Sequence, residues 1–270
     1  MAVARRLYST HRMRNLIRAT GAVLLAIVYV GTALIRLRLG ADPQTIFPTI
    51  IRRWCQLTLR WLGVTLQIEG DLRRPGLMIA NHGSLLDVFI FGALCDRPTT
   101  FVVKKELGRA PLIGSLLKQC GHVLLDRTNA IRAMRELRAV SNVLSAGGRA
   151  LIFPEGTRQP EGGPFKSGPF LIAARAKVPI IPIAVIGAAE LLPKNLLKFR
   201  PGTIRVIVLE PIDTTAWTDD DCETNTEAVR AAITAARKTA LESASPPTAR
   251  STTSAAPRAH RARTSSSGAR

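Results

Sequence analysis

The sequence predicts an α/β fold, a mixed sheet covered by helices and preceded by N-terminal membrane-associated helices. Three observations carry this reading. From residue 64 onward, short apolar runs alternate with longer helical stretches, as strands and covering helices do. Upstream, Ala19 to Ile35 form an uncharged run of 17 residues. Aliphatic residues are plentiful while aromatics are only 5% of the chain, which suits a layered α/β core. At 270 residues the chain can bury one sizeable domain and still carry terminal additions.

The first segment, residues 1–40, reads as a basic N-terminus and a membrane anchor. A spanning helix needs ~20 apolar residues, so the run is short for a full crossing. Arg12, Arg14 and Arg18 precede it, and Arg36 and Arg38 follow. Cations on both sides blunt the positive-inside rule and leave orientation open. A signal peptide would need a small-x-small site where Arg36-Leu37-Arg38 stand, so the anchor is expected to be uncleaved. It either spans or dips into one leaflet. Residues 41–63 read as an amphipathic interfacial helix. Trp54 and Trp61 lie seven apart, two turns along one face, among Arg52, Arg53 and Arg60. Plain packing on the domain is the other reading of this stretch.

Residues 64–242 are the expected catalytic domain. Candidate strands are 64–70, 76–82, 100–105, 121–127, 149–156, 178–187 and 202–212. Candidate helices are 84–94, 111–119, 130–146, 167–177 and 221–242. Residues 243–270, rich in Ser, Thr, Pro, Ala and Arg, read as a disordered basic tail.

The formal charge is +19, and the two ends carry most of it. Residues 1–60 hold ten Arg with Asp42 as the one acid, and 243–270 hold five Arg and no acid. Basic ends suit nucleic acid or anionic lipid. No RNA-binding aromatic signature or zinc finger is present, and a basic end beside an apolar segment favours lipid headgroups. Cys55, Cys95, Cys120 and Cys222 make no C-x-x-C pair and read as reduced thiols.

The chemistry gathers at strand ends, where α/β proteins place ligands. The strand at GLMIA runs into Asn81-His82-Gly83-Ser84-Leu85-Leu86-Asp87. On one continuous helix a spacing of five turns His82 and Asp87 about 140° apart. They meet if His82 sits in the turn and Asp87 in the opening helix, with Ser84 as a candidate N-cap. Asp87 then accepts the Nδ1 proton of His82 and leaves Nε2 free to take a proton from a hydroxyl. Backbone N–H groups near Gly83 are candidate oxyanion donors. A second cluster, Pro154-Glu155-Gly156-Thr157-Arg158, follows another apolar strand, and Arg158 offers a fork suited to phosphate. Glu155 could contact a substrate hydroxyl or hold Arg158. Lys105 and Arg127 close two further strands, so three strand ends bring cations beside the His–Asp pair.

These residues resemble the ordered blocks of the glycerolipid acyltransferases. His82 through Asp87 match their H-x-x-x-x-D motif, Gly121 to Arg127 their second block, Phe153 to Arg158 their third, and Val178 to Pro182 their fourth. Lys104 to Leu107 is similar to a segment between the first two. The likeness covers about residues 60–215 and is greatest to the 1-acylglycerol-3-phosphate acyltransferases. One departure is Gly83-Ser84-Leu85-Leu86, where relatives often carry an aromatic before Leu-Asp.

The resemblance implies transfer of a fatty acyl group from acyl-CoA or acyl carrier protein to the sn-2 hydroxyl of 1-acylglycerol-3-phosphate (lysophosphatidic acid). Another lysolipid, such as lyso-ornithine lipid, is the alternative acceptor. It makes His82 the general base and Asp87 its orienting partner. Lys105, Arg127, Glu155, Gly156, Thr157 and Arg158 become substrate-binding residues, and Pro179 part of the acyl site. It implies no metal and no cofactor beyond the thioester co-substrate. It places the enzyme on the inner, cytoplasmic membrane, with its catalytic domain toward the cytoplasm. Partners are then membrane lipids and the two substrates, with no nucleic acid.

Overall fold

A computed structural model describes residues 2–194 and 198–244, with side chains from residue 13 onward. Helix α1 spans Ala2–Arg38. Asp42 starts the next segment by accepting the Gln44 N–H at 2.9 Å, with Pro43 at the first helical position. The chain then runs through α2 (Pro43–Ile46), a π-helical turn (Phe47–Ile51) and α3 (Arg52–Leu62). Gly63, at φ 75°, stops α3 in the left-handed conformation that glycine adopts freely.

The elements that follow are β1 (Val64–Glu69), β2 (Gly76–Ala80), α4 (Leu86–Leu94), β3 (Thr100–Lys104), a 3-10 turn (Lys105–Arg109), α5 (Ile113–Gln119) and β4 (Val123–Leu125). After them come α6 (Ala130–Ser145), β5 (Arg149–Ile152), α7 (Gly168–Ala176), β6 (Ile180–Ile186), α8 (Ala188–Leu191), β7 (Gly202–Val208) and α9 (Cys222–Ala244). Every strand and helix expected from residue 64 onward is present, with ends shifted by a few residues. Ser243 and Ala244 finish α9, so the expected tail begins later than residue 243; positions 245–270 lie outside the described residues.

The seven strands are ordered β1-β7-β6-β2-β5-β3-β4. The run from β6 to β4 is parallel, β7 is antiparallel to β6, and β1 is parallel to β7. The sheet is therefore mixed, and β2 lies near its centre with all five residues buried. Its side chains alternate between two cores. Met78 and Ala80 meet α1, α3 and α4, while Leu77 and Ile79 meet α6, α7 and α9. Phe170 of α7 is fully buried in the second core. Truncating it to Ala would cost about 3–5 kcal/mol.

The apolar N-terminal run belongs to a longer element than its 17 uncharged residues suggest. The stretch Met13–Arg38, 26 residues, is one helix long and apolar enough to cross a membrane. Helix α1 also docks on the domain along its length. The Asn15 side chain donates to the Phe199 carbonyl at 3.0 Å, and the Arg18 guanidinium lies 5.7 Å from the Phe199 ring centroid. Trp61 Nε1 donates to the Arg18 carbonyl at 3.1 Å. Gly21 faces that indole so closely that a Cβ there would stand 2.3 Å from Nε1. Further along, Val30, Ala33 and Leu34 are buried in the first core.

Residues 43–62 form one unbroken helical run, with the π-turn lying between α2 and α3 and the backbone right-handed helical at both junctions. Its face is largely committed to the domain. Cys55, Thr58 and Leu59 are buried, and Trp54 meets Phe89 of α4 edge-on at 5.5 Å.

Candidate active site

The parallel run sets the C-terminal ends of β2, β5, β3 and β4 side by side on one sheet edge. Asn81 extends β2 with its side chain. Its Oδ1 accepts the Val185 N–H at 2.7 Å, and its Nδ2 donates to the Val185 carbonyl at 3.0 Å. The turn is thus fixed to β6 before the reactive residues begin.

His82 lies in the turn and Asp87 in the first turn of α4, as the spacing of five requires. His82 Nδ1 stands 2.8 Å from Asp87 Oδ2. The same oxygen accepts the N–H groups of Gly83 and Ser84, each at 2.9 Å. Asp87 is fully buried, and three donors with the positive end of a helix compensate that burial. A carboxylate acceptor selects the tautomer with the proton on Nδ1, leaving the Nε2 lone pair outward. The imidazole stacks on Phe153 with centroids 4.4 Å apart and planes 21° apart, which fixes its plane.

This arrangement corrects two expectations. The N–H groups at Gly83 and Ser84 are bound by Asp87, so they do not form an oxyanion hole. Ser84 is not the N-cap, a position held by Leu85, although its Oγ accepts the Leu86 N–H at 3.2 Å. That hydroxyl donates to the Leu192 carbonyl at 2.7 Å and the residue is buried, so it is held away from any role as nucleophile.

Glu155 is buried beyond β5. Its Oε1 accepts the His82 backbone N–H at 3.1 Å, and its Oε2 has no hydrogen-bond partner among the described residues. Burial pushes its carboxyl up to about 7, opposed by the His82 N–H and the Arg237 cation. Glu155 makes no ion pair with Arg158 among the described residues. The Gln159 N–H donates to the His82 carbonyl at 2.7 Å. The peptide groups of His82 are thus held on both sides by the segment after β5.

The three expected cations differ in their freedom. Lys105 Nζ is 2.6 Å from Asp126 Oδ2, and Lys105 with Thr128 holds that carboxyl well below the usual carboxylate range. Arg127 donates from Nη1 to the Gly156 carbonyl, its Nε is buried without a partner among the described residues, and burial lowers its pKa. Arg158, half-buried, makes no hydrogen bond or ion pair among the described residues. It is the cation left for a ligand, while Lys105 and Arg127 are partly spent on the fold. Gly156 adopts φ 71°, and Thr157 is exposed beside it.

Pro179 is not brought to this edge. It lies before β6, against the start of β2: its carbonyl accepts the Leu77 N–H at 3.0 Å. From there to His82 is about 20 Å along the strand at ~3.3 Å per residue. An acyl site that included it would have to extend that far along the sheet from His82. The β6 residues near His82 are at its far end, where Val185 bonds to Asn81.

Lys166 was not foreseen. Its N–H donates to the Pro154 carbonyl at 3.1 Å, and its Nζ would be 3.7 Å from a Cβ built on Gly156. Its segment, Gly163-Pro-Phe-Lys-Ser, ends no strand, so nothing in the local pattern marked it. The thiols carry no nucleophile signal. Cys55, Cys95 and Cys222 are buried, and burial pushes Cys55 up to about 12 and Cys95 to about 11.

Residues 63–186 match the sequence profile of the acyltransferase family. The 1-acyl-sn-glycerol-3-phosphate acyltransferase of Cocos nucifera is 34% identical over 179 residues, covering 64% of this chain and 58% of the relative. The Helicobacter pylori protein of the same name is 31% identical over 163 residues, 59% of this chain and 69% of its own length. The chain thus spans under two thirds of the plant relative. Among solved structures, the 1-acyl-sn-glycerophosphate (LPA) acyltransferase PlsC of Thermotoga maritima superposes with a TM-score of 0.72 at 26% identity, over 86% of this chain and 98% of PlsC. The His–Asp turn, the segment after β5 and the strands β2 and β5 that lead into them all lie within the matched region, and the chain belongs to the acyltransferase family that includes the 1-acyl-sn-glycerol-3-phosphate acyltransferases.

Proposed function

We propose that the chain transfers a fatty acyl group from a thioester donor to the sn-2 hydroxyl of 1-acylglycerol-3-phosphate, making phosphatidic acid for phospholipid synthesis. The observation that carries this reading is the 2.8 Å His82–Asp87 contact beside the unpartnered Arg158. With Nδ1 bound to Asp87, the Nε2 of His82 takes the proton of the acceptor hydroxyl as its oxygen attacks the thioester carbonyl. The thiolate of the donor then leaves as the tetrahedral adduct collapses. Such general-base assistance supplies about 10²–10⁴-fold in rate. The acceptor attacks directly, so no enzyme nucleophile, metal or further cofactor enters the scheme. Arg158 holds the acceptor phosphate, joined by Lys166 from across the Gly156-Thr157 turn and by Arg127 from beneath it.

The geometry of α1 supports attachment to one leaflet; the cytoplasmic side is the one that suits a thioester donor. The helix is docked both at Asn15 and at Leu34, about 29 Å apart at 1.5 Å per residue, close to the whole hydrocarbon thickness. A perpendicular crossing would draw the domain into the hydrocarbon. The opposite face presents Met13, Leu16, Ile17, Leu24, Ile27, Val28 and Ile35 to the surroundings. An apolar stripe of this kind suits burial along the membrane surface.

The test is acyl transfer by the purified full-length chain in mixed micelles, with lysolipid acceptors with and without phosphate, and with acyl-CoA and acyl carrier protein donors. Transfer to 1-acylglycerol-3-phosphate is expected. Preference for lyso-ornithine lipid would defeat the phosphate assignment, and transfer to none of the acceptors would defeat the function.

A further inference from the structure

The segment that carries Glu155 and Arg158 has no regular structure from Phe153 to Ser167, yet it supplies the groups that hold His82. Something must keep it in place. Part of the answer comes from α9, which lies outside the matched region 63–186. Helix α9 packs against the sheet through Val229, Ile233 and Ala240, all buried. Arg237 stands four residues after Ile233 and three before Ala240, and so on the same side of the helix. A charged residue in an apolar stripe needs a reason.

Arg237 Nη2 donates to the Pro160 carbonyl at 2.8 Å. Its Nη1 would be 3.1 Å from a Cβ built on Gly162. Its Nε is buried with no hydrogen-bond partner among the described residues. The turn it grips is closed by the Gly162 N–H donating to the Gln159 carbonyl at 2.9 Å, and Gln159 in turn donates to the His82 carbonyl at 2.7 Å. Pro160 also packs beside Gly83, its Cα 3.6 Å from where a Cβ would stand. An unbroken set of contacts therefore leads from the last helix to the histidine peptide. No carboxylate neutralises Arg237 within ion-pair distance among the described residues. Its one hydrogen bond goes to the geometry of this turn, while its charge lies near enough to Glu155 to favour the carboxylate.

We propose that Arg237 is a positioning residue: from α9 it clamps the turn at residues 159–162 and through that turn holds the backbone of His82. The inference rests on the acyl-transfer reading of the site. The planar fork matters because one guanidinium can grip a carbonyl and lie along a glycine at once, which a lysine cannot do.

The experiment compares the full-length chain with Arg237→Met, which keeps an unbranched stem and loses the fork, and Arg237→Lys, which keeps the charge. Peptide-resolved hydrogen exchange is expected to quicken at Gln159 and Gly162 in Arg237→Met and to stay at the wild-type rate in β5 and β6. Unchanged exchange over 159–162 overturns the clamp. A rise spread evenly through β5 and β6 does so too, since Arg237 would then serve the fold at large.

In the transfer assay, Arg237→Met is expected to lower turnover about 10-fold, as loss of one charge-assisted hydrogen bond does. The loss should fall on kcat with both KM values near wild type, because the clamp holds the peptide of the base and touches neither substrate. Arg237→Lys should restore only part of the turnover. A loss confined to KM would overturn the link to the site. If the wild-type chain transfers no acyl group, the functional reading fails, and the exchange result still decides the clamp by itself.

Discussion

The turns after β2 and after β5 both end buried strands, both carry a carboxylate, and both reach His82, yet they are built in opposite ways. In the first, the His82–Asp87 pair is set by near neighbours in the chain. Asp87 gathers His82, Gly83 and Ser84, none more than five residues away. The second is assembled from afar. Glu155 meets His82 across 73 positions, Arg127 reaches Gly156 across 29, and Arg237 reaches Pro160 across 77. Among the described residues Glu155 Oε2 and the Arg158 guanidinium have no partner there, and in the first turn Asp87 Oδ1 has none. A turn set by its own near neighbours is suited to fixing a base. One held from several sides with donors left over is suited to receiving a charged ligand.

The largest expected effect comes from the self-contained turn. His82→Ala should lower turnover by about 10²–10⁴-fold. The imidazole is a donor to Asp87 rather than a core group, so thermal unfolding should change little. Asp87→Asn should nearly match that loss and also lower the melting temperature, because three donors lose a buried charge. Retention of near-wild-type turnover by His82→Ala would break the comparison at its first member.

The borrowed turn should show its effect in binding. Arg158→Ala is expected to raise the acceptor KM about 10–100-fold, the range for a charge-assisted hydrogen bond. Arg158→Lys keeps the charge without the fork and should raise it less. The donor KM should hardly move, and steady-state kinetics with each substrate varied in turn reads the difference. Equal effects on both substrates would make Arg158 a structural residue.

Glu155 sharpens the contrast through pH. Its folded carboxyl sits at about 7 against an ordinary value of 4.5, so between those values the folded chain holds a proton that the unfolded chain has released. Stability contributed by Glu155 therefore falls as pH rises through that window. Glu155→Gln has no proton to lose. Wild-type melting temperature should decline relative to the variant from about pH 4.5 to 7, and parallel curves would refute the assignment.

Ser84→Ala should give the smallest kinetic change. It removes bonds to Leu192 and Leu86 and should cost about 1–3 kcal/mol of stability. Turnover should remain within about 10-fold of wild type, since a proton-transfer base and its attacking substrate need no serine. Abolished turnover in a folded variant would reopen the nucleophile reading.

The same contrast explains what could be read in the chain before its structure. Alternation of apolar runs with helical stretches revealed the strands and helices because burial on both sheet faces makes consecutive strand residues apolar, as in Leu77 and Met78. His82 and Asp87 were legible because their partner choice is local. The state of Lys105 and Arg127 was not, since Asp126 and Gly156 compete for them only once the strands are side by side. The place of Pro179 was not legible either, since it sits at the start of its strand, and distance along a strand is invisible without direction. Arg237 left no local sign at all, for its partner lies 77 residues away.

The docking of α1 has a mechanical consequence. Between Asn15 and Leu34 the helix is docked on the domain, so helix and site move as one lever. On the attachment to one leaflet proposed above, the stripe on α1 would set the height and tilt of His82 above the lipid, without the slack of a tether. An insertion of one residue within α1 would rotate everything beyond it by about 100° and put the stripe out of register with the docked face. Lengthening the chain before Asn15 would leave the lever untouched, which marks where a tag or fusion can be attached without tipping the enzyme.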